Sequence, residues 1–217
     1  MNNSLKYAIL FAILVLPGLI FLFLKTFGEN HYDLPVENPV VAGCEPNLED
    51  GTNHHIPAFS LVDQDSAAFT RERLRGTVHI ANFFFTSCPD ICLQVTAELR
   101  RVQELVDSDS YQLVSYSIDP AHDTPSVLRD YAGKYKASST NWSFVTGDFG
   151  QLQQLARCGY YILAKRNEMD KQTFVHSDNI VLIDKEGKIR GYYSGTDRKE
   201  TDRLIIELQV LLEQDNS

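Results

Sequence analysis

The strongest constraint on the fold is the order in which apolar patterns alternate along residues 56–214. Short apolar runs typical of strands alternate with stretches whose apolar residues recur at helical spacing. The run VHIANFFF (78–85) hardly alternates with polar residues, as expected for a strand that is buried on both faces. The next stretch, ICLQVTAELRRVQELV (91–106), carries the apolar stripe of a helix. This alternation predicts an α/β fold.

Capping residues support two of the later helices. Thr124 followed by Pro125 is typical of a cap and a first helical position, and Asp148 with Gln151 forms a capping-box pattern. The strand and helix order predicts a thioredoxin-like central sheet with a parallel portion and helices on both faces. Strands are predicted near 56–63, 78–85, 111–118, 142–145, 179–184 and 189–194, with helices at 91–106, 125–135, 148–158 and 201–214.

One long apolar run lies near the N-terminus. Tyr7 to Leu24 holds 18 residues without a charge, which as a helix span about 27 Å, close to the hydrocarbon thickness of a bilayer. A cleaved signal peptide is the rival interpretation, but no small-x-small cleavage site follows the run. An uncleaved transmembrane anchor is therefore favoured. Lys6 and the α-amino group on one flank place the N-terminus in the cytoplasm by the positive-inside rule, so the globular part would face outward.

Three segments follow from these patterns. We predict an N-terminal transmembrane anchor at 1–27, an extracytoplasmic linker at 28–54 that contains three of the eight prolines, and a globular domain at 55–217. After residue 28 the chain carries 18 basic and 29 acidic side chains, which argues against nucleic acid as a partner. Because no Arg- and Ser-rich transit peptide is present, a bacterial inner membrane with a periplasmic domain is the predicted location.

The stretch FFFTSCPDIC (83–92) places two cysteines where a strand ends and a helix begins. Pro89 suits the first turn of a helix because it has no N–H group, so we expect Cys88 at or just before the cap and Cys92 one turn later. The helix N-terminus would stabilise a thiolate at Cys88, the form that attacks disulfides or binds metal. The alternative is that both cysteines are ordinary core residues.

The chemistry of this pair depends on a third group. Thioredoxin-like oxidoreductases use Cys-x2-Cys with a cis-proline in the loop before a later strand, but no proline follows Pro125 in this sequence. The corresponding loop, TFVHSDNIVLID, contains His176 instead. Two thiolates and one imidazole suit Cu(I), the nitrogen also allows Cu(II), and structural zinc would normally require a fourth ligand. A lone histidine before a strand can equally be a hydrogen-bonded loop residue.

These motifs resemble the SCO/SenC family of membrane-tethered copper chaperones. The resemblance covers about Ile56 to Leu212 and rests on FFFTSCPDIC, SIDPAHDTPSVLRDYA, FVHSDNIVLIDKEGKIRGYYSGTD and the single N-terminal anchor. It implies a thioredoxin-like fold in which Cys88, Cys92 and His176 bind one copper ion, as Cu(I) or Cu(II). It also implies delivery of copper to the CuA site in the copper-binding subunit of cytochrome c oxidase, with an upstream copper donor.

The resemblance further implies thiol-disulfide reductase activity towards the cysteines of the oxidase, with Cys88 and Cys92 as the catalytic redox pair. A thiol-disulfide oxidoreductase without an essential copper-carrying role is therefore the alternative function. Under it, Cys88 is the nucleophile and Cys92 resolves the mixed disulfide. Whether the chain is chiefly a metallochaperone or an enzyme stays open at this point.

Two further features lie outside this motif. The loop SIDPAHDTP (117–125) follows a sheet strand and should reach the same edge as the cysteine loop, where Asp119 and Asp123 would shape the site or, as ordinary loop chemistry, serve as turn and cap residues. Cys44 and Cys158 either form a disulfide that pins the linker to the domain or remain separate thiols.

Overall fold

The computed structural model describes residues 3–27, 34–107, 109–137, 140–162 and 178–214. The chain forms two units, Met1–Asp33 and Leu34–Ser217. In the first unit, helix α1 (Asn3–Phe27) contains Pro17. Its segment Ser4–Phe23 is long and apolar enough to cross a bilayer, and a signal sequence has the same length and composition.

The second unit is built on one mixed sheet. Its described strands are β1 (Ser60–Asp63), β2 (Ala68–Thr70), β3 (His79–Phe84), β4 (Gln112–Ser117), β5 (Trp142–Thr146), β6 (Asn179–Ile183) and β7 (Ile189–Ser194). They lie in the order β2-β1-β5-β4-β3-β6-β7. The central strands β3, β4 and β5 are parallel, whereas β1 and β6 pair antiparallel with the strands beside them.

Helices cover both sides of this sheet, which gives the thioredoxin-like architecture that the sequence predicts. On one face the ring of Phe84 lies 5.3 Å from that of Tyr131, and on the other the ring of Phe83 lies 5.6 Å from that of Tyr160. The described helices of this unit are α2 (Ile91–Leu105), α3 (Pro125–Lys134), α4 (Phe149–Gln154, continued by a π turn at Leu155–Gly159) and α5 (Arg198–Gln214).

The predicted caps are present. The Thr124 hydroxyl accepts a hydrogen bond from the Val127 amide at 3.5 Å, and the Asp148 carboxylate accepts one from the Gln151 amide at 2.8 Å. Each satisfies a backbone donor that the first helical turn leaves without an internal partner. The sequence did not predict β2, because a strand of three residues is too short to show alternation.

Most of the segment that we expected to be a linker packs within the second unit. Leu34 is 2% exposed, and the Glu37 amide donates to the Ile189 carbonyl at 2.8 Å. His54 is also buried, and its Nε2 lies 2.8 Å from the Gly159 carbonyl oxygen. An irregular, proline-bearing segment shows no periodicity in sequence, yet its backbone groups still find partners on a neighbouring surface.

Candidate metal centre

The predicted site lies at one edge of the sheet. Phe84 and Ser117 are paired at the carboxyl ends of the parallel strands β3 and β4. The loops that follow these strands therefore leave the sheet side by side, as expected at the carboxyl edge of parallel strands. The first loop carries Cys88, and the second contains Asp119 and Asp123.

Cys88 lies in the loop just before α2, and Cys92 lies in the first turn of that helix. This helix begins at Ile91 with Asp90 as its N-cap residue, so Pro89 precedes the helix and does not occupy its first turn, contrary to our expectation. Cys92 is the second helical residue, and its amide donates a hydrogen bond to Cys88 Sγ at 3.4 Å. The predicted role of the helix N-terminus thus has a geometric basis, because a backbone N–H of the first turn points at the sulfur of Cys88.

Both sulfur atoms belong to thiols in a nearly closed environment. Cys88 and Cys92 are 4% and 5% exposed and are not joined in a disulfide. Burial raises the pKa of the Cys92 thiol to about 12, and the hydrogen bond with Cys88 and the charges of Cys88 and Asp123 act in the same direction. The Cys92 thiol is therefore protonated at neutral pH.

Asp123 fastens the cysteine loop to the neighbouring loop. Its buried carboxylate accepts hydrogen bonds from the Thr86 amide at 3.1 Å and the Ser117 hydroxyl at 2.6 Å. The exposed ring of His122 contributes Nδ1 at 2.9 Å from Asp123 Oδ1. The prediction that the two loops lie at the same sheet edge is confirmed. Asp123 is a buried acceptor that binds Thr86, and Thr86 precedes Cys88 by two residues.

Two polar residues beneath Cys92 were not anticipated from the sequence. The Thr96 hydroxyl donates to the Cys92 carbonyl at 2.7 Å and lies 2.9 Å from the Tyr131 hydroxyl. Since the one hydroxyl proton of Thr96 goes to the carbonyl, Tyr131 is the donor in the second bond. Thr96 and Tyr131 occupy buried positions of α2 and α3. In the sequence, each could be recognised only as a polar residue on an otherwise apolar helix face.

The third predicted ligand, His176, lies outside the described residues. Asp178 directly precedes β6, which pairs antiparallel with β3 so that Ile180 faces Asn82. This register brings Asp178 to the sheet edge that carries the cysteine loop. Among the described residues, no group of three or more His, Cys, Asp and Glu side chains is arranged to hold a metal.

The donors that the structure does describe fit a soft metal ion. Two neighbouring reduced thiols are able to chelate one ion, and thiolates select Cu(I) over hard cations such as Mg²⁺ and Ca²⁺. The same pair can also close to a disulfide after oxidation. The geometry of Cys88 and Cys92 thus supports metal binding and thiol exchange alike.

Comparison with known proteins adds an independent line of evidence. A family model described as SCO1/SenC matches residues 48–212. The SCO1 protein homolog of Bacillus subtilis is 28% identical over 195 residues, which cover 88% of this chain and 92% of that protein. The matched region of the family model contains Cys88, Cys92, His176 and every strand of the described sheet.

Solved structures share the fold. BsSco, described as a member of the Sco family of cytochrome c oxidase assembly proteins with a disulfide switch, is 27% identical with a TM-score of 0.65, covering 74% of this chain and 95% of that one. Arabidopsis thaliana ScoI with copper bound is 25% identical with a TM-score of 0.58, covering 71% of this chain and 98% of that one. The likeness therefore extends over nearly the full length of both solved chains.

Proposed function

Because this chain belongs to the SCO1/SenC family, we propose that it is a copper metallochaperone that binds one copper ion through Cys88, Cys92 and His176. Its cargo is delivered to the CuA site in the copper-binding subunit of cytochrome c oxidase after loading by an upstream copper donor. The copper-bound Arabidopsis relative and the oxidase-assembly description of BsSco support this assignment.

The observation that carries the proposal is the hydrogen bond from the Cys92 amide to Cys88 Sγ at 3.4 Å. It joins the two reduced cysteines that would chelate the ion, and it directs a backbone dipole at the sulfur of Cys88. Each thiol loses its proton when it binds the ion. His176 supplies a nitrogen donor, and a set of only three protein ligands leaves room for an incoming cysteine of the recipient during ligand exchange.

We further propose that α1 is a single membrane anchor and that the second unit lies on the periplasmic side of a bacterial inner membrane. The length and apolar composition of Ser4–Phe23 support an anchor. The disulfide between Cys44 and Cys158 supports an oxidising compartment. An anchored carrier of this kind would meet a membrane-bound oxidase without leaving the bilayer surface.

A Cu(I) titration of the detergent-solubilised full chain under reducing conditions tests the copper assignment. We expect tight binding of one ion per chain, abolished in Cys88→Ser and Cys92→Ser. His176→Ala should weaken the affinity by more than the roughly 10–100-fold typical of changes around a ligand. Absence of tight one-to-one binding, or an unchanged affinity in His176→Ala, would contradict the proposal.

Thiol-disulfide exchange is the second candidate function, and the adjacent reduced thiols favour it. Cys88 would attack a disulfide of the recipient, and Cys92 would then displace the mixed disulfide, leaving a Cys88–Cys92 disulfide and two reduced thiols on the recipient. Under this function His176→Ala leaves reductase turnover largely intact while Cys88→Ser abolishes it. Both roles can operate in sequence, because the two cysteines must be reduced before they hold copper.

A further inference from the structure

A small cavity lies where β3 begins at His79, at the end of this strand opposite to the cysteine loop. Its volume is about 10 Å³, which is room for one water-sized atom. Five of its lining residues carry ionisable side chains, namely Arg71, Arg75, His79, Lys185 and Glu186. Arg75 and Glu186 are exposed, so the cavity reaches the protein surface. We call this cavity the His79 pocket.

The walls of the His79 pocket are held in place by the fold. The Gly76 amide donates a hydrogen bond to the Lys185 carbonyl at 3.0 Å, which joins the turn before β3 to the turn between β6 and β7. The Arg71 side chain is fixed by Glu49, whose carboxylate accepts a hydrogen bond from Nη2 at 2.8 Å. Because these groups are already ordered, a molecule that enters the pocket has little ordering cost to overcome.

His79 brings an unsatisfied nitrogen to the pocket. The residue is 2% exposed, and its buried Nδ1 atom has no hydrogen-bond partner within the described residues. The Thr77 carbonyl lies near the ring but outside hydrogen-bond geometry with Nδ1. Burial lowers the pKa of His79 to about 4, so the ring is neutral at neutral pH and carries a single N–H group. A buried polar atom without a partner is rare and indicates that something else occupies the adjoining space.

Two buried tyrosines assign the N–H group of His79 to Nδ1. The Nε2 atom lies 3.3 Å from the Tyr160 hydroxyl, which lies 3.0 Å from the Tyr116 hydroxyl. If Tyr116 donates to Tyr160 and Tyr160 donates to Nε2, both hydroxyl protons have acceptors and Nδ1 carries the proton. In the reverse order, the proton of the fully buried Tyr116 hydroxyl has no acceptor among the described residues. The His79 pocket therefore receives an N–H donor.

The charges around the His79 pocket favour an anion. Of the charged side chains that line it, Arg71, Arg75 and Lys185 are cations and Glu186 is a carboxylate. Arg71 is partly compensated by Glu49, which does not line the pocket. The exposed Arg75 belongs to none of the ion pairs between described residues. A guanidinium of this kind can form charge-assisted hydrogen bonds with an oxyanion.

We propose that the His79 pocket binds a phosphoryl oxyanion, with one oxygen accepting the Nδ1 hydrogen of His79 and the other oxygens at the rim beside Arg75 and Lys185. A cavity of about 10 Å³ admits one oxygen and leaves the rest of the anion among the cations. A neutral water molecule fits the same space but gains little from the positive rim. The site is separate from the cysteine edge, because the six residues of β3, roughly 20 Å, lie between them.

Phosphate titration of the copper-free, detergent-solubilised full chain tests this inference. Calorimetry should show saturable binding of one inorganic phosphate per chain, and ¹⁵N NMR should show a shift of the Nδ1 resonance of His79. We expect Arg75→Gln to weaken phosphate binding about 10-fold, because one charge-assisted hydrogen bond is lost. Arg198→Gln is the matched control, since it removes an equally exposed charge at the far end of β7, more than a Debye length away, and should keep the affinity within about 2-fold.

Two substitutions of His79 separate the donor from the packing. His79→Gln keeps an amide group near Tyr160 but removes the Nδ1 donor, so phosphate binding should fall about 10-fold or more. His79→Asn places an amide N–H close to the former position of Nδ1 and should retain most of the affinity. Urea unfolding shows whether each variant is folded, and Arg75→Gln, at an exposed position, decides the question if neither His79 variant folds.

The source of the phosphoryl group is identified by competition with short-chain phosphatidylglycerol. Displacement of phosphate by this lipid assigns the site to a lipid headgroup, and failure to displace it assigns the site to the free ion; the oxyanion site stands in both cases. The inference is overturned if phosphate binding does not saturate, if Arg75→Gln and Arg198→Gln bind phosphate equally well, or if the Nδ1 resonance of His79 does not respond to phosphate.

Discussion

At the scale of single residues, the buried thiol of Cys92 would couple copper binding to pH under the proposed function. Its pKa is raised to about 12, first by burial and then by the hydrogen bond with Cys88. The thiol is therefore protonated throughout the neutral range, whereas a metal ion binds only the thiolate. If Cys92 is a ligand as proposed, each copper ion that binds releases this proton, so acid competes with copper for the sulfur of Cys92.

We predict that the apparent Cu(I) affinity rises with pH by about 10-fold per unit from the Cys92 proton alone, or roughly 100-fold between pH 6 and pH 8. The slope keeps this sign because the whole interval lies below the raised pKa. Competition titrations at several pH values, corrected for protonation of the competing chelator, measure it. An affinity that is constant with pH would contradict the assignment of Cys92 as a ligand.

At the scale of elements, the connection between β4 and α3 holds the cysteine loop in place. Asp123 is fully buried, and its carboxylate satisfies the Thr86 amide and the Ser117 hydroxyl. Removing the carboxylate leaves both of these donors without that partner, and a buried donor that lacks a partner costs about 1–3 kcal/mol. The position of the loop before Cys88 thus depends on Asp123, which lies 37 positions after Thr86 in the sequence.

We predict that Asp123→Ala lowers the free energy of unfolding by roughly 3 kcal/mol. Urea unfolding followed by circular dichroism measures the change. Asp119→Ala is the matched control, because Asp119 lies in the same loop but is only half-buried, and it should cost less than about 1 kcal/mol. An equal loss of unfolding free energy in the two variants would show that the buried hydrogen bonds of Asp123 do not stabilise the fold more than the half-buried Asp119 does.

At the scale of the whole molecule, the disulfide between Cys44 and Cys158 joins the N-terminal segment of the second unit to the end of α4. The bond spans 114 positions of sequence with the two Cα atoms 5.2 Å apart. Arg157 adds a hydrogen bond to the Ala42 carbonyl at 2.6 Å, and His54 contacts Gly159 from the same segment. A crosslink that closes so long a loop restricts the unfolded chain strongly.

We predict that the double variant Cys44→Ser/Cys158→Ser unfolds with a free energy about 4 kcal/mol lower than the wild-type chain. The loss follows from the greater conformational freedom of the unfolded chain without the crosslink. Chemical denaturation under non-reducing conditions measures it. Equal stability of the Cys44→Ser/Cys158→Ser chain and the wild-type chain would contradict the prediction.

The strand and helix order, the caps at Thr124 and Asp148, and the cysteine pair at the end of β3 were all predictable from local patterns. Periodicity and capping depend on residues at most a few positions apart, which a single sequence displays directly. The predicted elements accordingly match the structure to within a few residues, apart from the short β2. The helix predicted at 91–106 is α2 (Ile91–Leu105), and only the expected place of Pro89 in its first turn was wrong.

Only the tertiary structure decided which distant residues meet. Cys44 could have paired with Cys158 or remained a thiol, and no local pattern distinguishes the two outcomes. The burial of Asp123 and the hydrogen bond from Thr196 to Asp178 likewise arise where separate loops converge at one sheet edge. Such contacts depend on the relative placement of strands, because burial and hydrogen-bond partners across the sheet are properties of the assembled fold and have no periodic signature along the chain.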